Sequence, residues 1–99
     1  MSEENNETFF NRADEHIGLS NKQITDTVDG DEVSASMMYA AARFNAWLSA
    51  TSFTTAEELA KAKKEQIKYY MDEYRSMLQE NFDDYIENFQ YYMSPDNNK

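Results

Sequence analysis

Cysteine is absent from this 99-residue chain, glycine occurs twice and proline once. Without a thiol there is no disulfide, no zinc–thiolate site and no cysteine nucleophile, and nothing points to an oxidising compartment. Two glycines and one proline are too few for the turns of a sandwich or barrel of this length, so the fold class reads as all-α. Histidine is represented by His16 alone. Acid–base pairings that need a second imidazole are therefore missing. The Glu-x-x-His pattern of di-iron bundles fails as well, because Ala13 stands where the glutamate belongs. There is no Gly-rich phosphate loop and no serine in a nucleophile-elbow context. The expectation is a protein that is not an enzyme and carries no cofactor or metal.

Positive charge is also scarce. Nine Lys and Arg stand against 19 Asp and Glu, for a net charge of −10. Such an excess disfavours nucleic-acid backbones and anionic lipid and favours solubility. It is unevenly spread. Residues 1–33 hold nine acids and two bases, residues 34–56 hold only Arg43, and residues 57–68 hold three acids and four lysines. Residues 69–99 hold seven acids and two bases. The amino-terminal MSEENNETFF is acidic where a signal peptide would be basic, and the most apolar segment is broken by Ser, Arg and Asn. A cytoplasmic protein with no membrane span is expected.

What is present is apolar and aromatic: 40% hydrophobic residues and 14% Phe, Trp and Tyr. That is too much for disorder and suits one domain over residues 1–99, with frayed termini at 1–5 and 94–99. Three helical segments are expected. The first starts near Asn6 or Thr8 and repeats Phe9/Phe10, Ala13, Ile17 and Ile24 at helical spacing. The stretch VDGDE at 28–32 reads as a turn, and Ser34 as the cap of a second helix running to about Ala50 or Thr51. The third opens on TTAEEL, where Thr54–Glu57 or Thr55–Glu58 forms a capping box. From there Ile67, Met71, Tyr74, Leu78, Phe82, Tyr85, Phe89 and Tyr92 step by three or four. This third segment is either one helix of roughly 55 Å or is kinked near Glu80–Asn81.

The stretch MMYAAARFNAWL, Met37 to Leu48, carries one ionisable side chain, Arg43. Met37, Ala41, Phe44 and Leu48 make one stripe, while Tyr39, Ala42, Ala46 and Ala50 occupy much of the remaining surface. A helix apolar on all sides must be covered on all sides. Two further segments cannot do that, so a second subunit completing the bundle, most simply a two-fold homodimer, is expected. Arg43 is expected to pair with a carboxylate, and Asn45 to make a polar contact that fixes docking. Tyr39, Ala46, Trp47, Tyr69 and Tyr91 are the candidate protein interface, because aromatic rings among acids suit protein docking.

VSASMMYAAARFNAW together with MLQENFDDYIENF resembles a small family of short bacterial helical proteins classed as a domain of unknown function. The resemblance spans roughly Phe9 to Phe89. It implies a compact helical fold and a bacterial cytoplasmic origin, and it brings no catalytic residue. The function expected is therefore a helical, homo-oligomeric interaction or scaffold protein. The alternatives are an acidic mimic of nucleic acid that inhibits a basic protein partner and, more weakly, a carboxylate metal-binding protein.

Overall fold

The computed structural model describes the backbone of residues 3–94 and the side chains from Glu7 to Ser94. All regular structure among them is helical: α1 (Glu3–Gln23), α2 (Gly30–Ala50), α3 (Ala56–Glu87) and α4 (Phe89–Met93). The chain divides after Leu48 into two units.

In the first unit α1 is already helical at Glu3, several residues ahead of the expected start at Asn6 or Thr8. The segment Glu3–Asn5, expected to fray, is thus helical; Met1 and Ser2, like the tail 95–99, lie outside the described residues. Nothing in the acidic start breaks a helix, and negative residues at an amino end oppose the helix dipole favourably. Gly18 sits inside α1 without interrupting it.

The turn falls earlier than VDGDE. Thr25 N–H donates to the Val28 carbonyl at 2.9 Å, and the Thr25 hydroxyl oxygen accepts from Thr27 N–H and Val28 N–H at 3.3 and 3.1 Å. A side-chain-closed turn of this kind competes well with helix. Asp29 and Glu32 then cap each other. Glu32 N–H donates to Asp29 Oδ1 at 2.9 Å, and Asp29 N–H donates to Glu32 Oε1 at 3.2 Å. This reciprocal box starts α2 at Gly30, four residues before the expected Ser34 cap.

Where α1 and α2 approach, the Ser20 hydroxyl donates to Met37 Sδ at 3.4 Å, and a Cβ built on Gly30 would sit 3.9 Å from Ile24 Cδ1. Val33, 4% exposed, is the one buried hydrophobic residue among those described. The expected bundle core is therefore not seen among the described residues.

In the second unit Ser49, 8% exposed, donates its hydroxyl to Gln66 Oε1 at 2.6 Å. Its oxygen also lies 3.5 Å from the Tyr70 hydroxyl. Leu59, Ala62, Gln66 and Tyr70, at steps of three and four, form the half-buried side of α3, and Phe53 is half-buried too. The start of α3 is written locally. Thr55 is the N-cap, its hydroxyl oxygen accepting from Glu58 N–H at 3.1 Å. Glu58 Oε1 accepts from Thr54 Oγ1–H at 2.6 Å and from the N–H groups of Thr54 and Thr55 at 3.0 and 3.3 Å. Of the two expected boxes, Thr55–Glu58 is the one formed.

Hydrogen bonds from the Thr54 hydroxyl and N–H, then from Thr55, hold the Glu58 carboxyl below its ordinary range. A carboxyl with a depressed folded pKa adds stability above its unfolded value, here about 4.5, and loses it as pH falls through the folded value. Replacing Thr55 by Ala is expected to destabilise the helix start by about 1 kcal/mol. Thermal melts followed by circular dichroism check this. In Glu58→Gln the part of the acid-induced melting below about pH 4.5 that belongs to this carboxyl should disappear.

α3 runs unbroken through Glu80–Asn81, so of the two readings the kink there is not the one formed. The Asn81 amide donates back to the Met77 carbonyl at 2.8 Å, a bond the helix tolerates. The break comes at Asn88, with φ −111° and ψ 30°, whose N–H still donates to the Asp84 carbonyl at 2.9 Å. Asp84 then anchors α4: Oδ1 accepts from Asn88 Nδ2 at 2.8 Å and Oδ2 from the Tyr92 hydroxyl at 2.8 Å. The bond to Asp84, reinforced by that carboxylate's charge, raises the Tyr92 pKa.

Candidate interaction faces

The features that stand out chemically are two apolar helix faces left in water. The first lies on α2. Tyr39 is 66% exposed and Trp47 60%, Ala46 is exposed, and from Ser34 to Leu48 only Asn45 is even half-buried. Phe44 belongs by spacing to a core stripe, yet it too is exposed, its ring 5.8 Å from that of Trp47. Spacing placed Phe44 with Met37, Ala41 and Leu48 but could not show that its ring and that of Trp47 are left exposed.

Arg43 shares this exposed surface and makes no ion pair among the described residues. Asn45 is half-buried. The ion pair among the described residues is instead Lys68–Asp72, at 2.7 Å along α3. It raises the Lys68 pKa, first through the hydrogen bond and then through the charge of Asp72. Both side chains are exposed, so its net effect is small.

The second face is the stripe of α3. Ile67, Met71, Tyr74, Leu78, Phe82 and Tyr85, placed by spacing in a core, are all exposed. Tyr69 and Tyr91 lie off the stripe and are exposed, as expected. Each also packs edge-on against its neighbour, Tyr69 on Tyr70 at 5.1 Å and Tyr91 on Tyr92 at 5.4 Å. Tyr91 and Tyr92 belong to an aromatic cluster with Tyr85, whose ring is 4.7 Å from that of Tyr92.

Among the described residues no group of three His, Asp or Glu side chains is arranged to hold a metal ion. No described helix is long and apolar enough to cross a membrane.

A family model described as "Protein of unknown function (DUF3144)" matches residues 9–86. Comparison with curated proteins gives no match, and comparison with solved structures gives none.

Proposed function

The chain belongs to the DUF3144 family, and for it we propose a non-catalytic role as a self-associating helical interaction protein in the cytoplasm, its α2 face covered by a second copy. One observation carries this reading: Tyr39, Phe44 and Trp47 are each at least 60% exposed on a helix of otherwise ordinary geometry. Apolar patches beyond a few hundred Å² are rare on monomers and mark contact surfaces. Electrostatics favours a copy at this place. The stretches 1–33, 57–68 and 69–99 each carry several acids, whereas residues 34–56 carry Arg43 as their one charge. Two chains of charge −10 can meet over α2 with little like-charge repulsion.

Trp47 is the sole tryptophan, so its fluorescence reads this face directly. Emission should shift to the red on dilution from the micromolar range, in step with a fall in mass towards 11.6 kDa by sedimentation. A fixed 11.6 kDa mass at every concentration would overturn the reading.

Mimicry of nucleic acid has weaker support. Glu73, Glu80 and Glu87 are exposed along one face of α3, recurring every seven residues. That spacing is about 10.5 Å along the axis. Duplex DNA presents a charge roughly every 1.7 Å of axis, so this row is far too sparse to copy it.

A further inference from the structure

We infer that α1 of a second copy lies antiparallel along the outer half of α2, the two copies exchanging this contact reciprocally. This rests on the self-association proposed above and names the element that covers the α2 face.

The register is set beside the turn. There the Ser20 hydroxyl donates to Met37 Sδ, so these two residues stand level on α1 and α2. Away from the turn, the face of α1 that holds Ser20 continues through Ile17 and Ala13. The face of α2 that holds Met37 continues through Ala40 and Phe44. Both helices step by three and then by four. In antiparallel helices Ile17 is therefore level with Ala40, and Ala13 with Phe44. A large side chain meets a small one in the first layer and a small one meets a large one in the second. Facing layers interdigitate under that condition. One turn further out, Phe9 and Phe10 come level with Trp47 and Leu48, so large apolar groups close the end from both sides.

The chain's own α1 does not cover these layers. Ile17 is 50% exposed and Phe44 60%, and Phe9, Phe10, Ala40 and Trp47 are exposed as well. The Thr25 turn and the Asp29–Glu32 box fix the connection between the two helices in this open form. Exchange of an identical element between two copies makes the layers that neither chain makes alone. Charge favours the same occupant. Residues 34–48 carry Arg43 as their one charge, whereas α1 carries five acids against two bases. A second α2 laid over this stretch would bring another cation, and α1 brings the opposite sign.

The absence of cysteine makes the test clean, because engineered thiols are the sole sites of coupling. Asp14→Cys and Ala41→Cys are made in the full chain, singly and together. Both positions are exposed, and both fall on the same edge of the inferred contact within a turn of each other. Neither substitution removes a large apolar side chain. A short bismaleimide is added at concentrations where sedimentation shows the associated form, and products are separated on denaturing gels. An equimolar mixture of the single variants should yield covalent dimers joined between positions 14 and 41, up to about half of all dimers, the share that random pairing makes unlike. Glu15→Cys, on the opposite side of α1, should give none with Ala41→Cys. Coupling within one chain of the double variant, at dilutions where it is monomeric, would show α1 closing on its own α2 and overturn the inference. A sedimenting dimer that couples in Ala41→Cys alone, or that gives no 14–41 product in the mixture, would overturn it while leaving self-association intact. An unaltered chain that stays monomeric at every concentration would overturn both.

Discussion

Trp47→Glu is expected to weaken self-association at least about 30-fold, the equivalent of some 2 kcal/mol or more. The indole stands in water at 60% exposure beside Phe44, on a stretch whose sole charge is Arg43. Aromatic residues in such positions dominate interface energetics, because one rigid ring contributes large contact area at small entropy cost. A carboxylate there would be desolvated without a built-in partner and would add to an acidic excess of ten. Sedimentation equilibrium against the unaltered chain measures the change. Glu15→Gln, on the exposed surface of α1, should leave association unchanged and serves as the control. If Trp47→Glu associates as tightly as the parent, α2 is not a contact face.

Val33→Asp is expected to cost about 3 kcal/mol or more and to unfold the α1–α2 turn region. Val33 is the one hydrophobic residue buried among those described. It directly follows the Asp29–Glu32 capping box and lies one turn before Met37, whose sulfur accepts from the Ser20 hydroxyl. Burying an unpaired carboxylate belongs to the short set of substitutions with effects of this size. Val33→Thr keeps the shape and adds a hydroxyl, so it should cost clearly less. Far-ultraviolet circular dichroism during heating gives the ranking. Protein concentration must be matched between variants, because association stabilises whatever assembles. Equal melting temperatures for Val33→Asp and the parent would show that the contact at the turn contributes nothing.

The helices themselves were legible because their determinants are local. Thr55 and Glu58 lie three residues apart and form the expected box. The stripe on α3 follows the helical period through Glu87. The start of α2 was missed by four residues because Gly30 drew the turn onto itself, while Asp29 and Glu32 satisfied the same pattern as Thr55 and Glu58. The helix runs past Asn81 and breaks at Asn88 for a related reason. Asn81 and Asn88 are the same residue type, but Asn88 has Asp84 to bond with its side chain and Asn81 has only the Met77 carbonyl.

Burial was the part the sequence could not give. Periodicity shows that Phe44, Met71 and Tyr74 share apolar faces, but not whether those faces meet another element of the same chain. Here they do not. Arg43 likewise stands exposed on α2.

The hydrogen bonds that start α2 and α3 and fasten α4 all join residues no more than eight positions apart. Longer links among the described residues join Ser20 to Met37 and Ser49 to Gln66 and Tyr70, across single connections. Chain segments of this kind find their backbone conformation within microseconds and without a search through distant pairings. Shielding of the Trp47 ring, by contrast, would have to wait for collision between molecules. Maturation of the protein would then divide into a fast first-order stage and a bimolecular one, and crowding many nascent copies together would hasten only the latter.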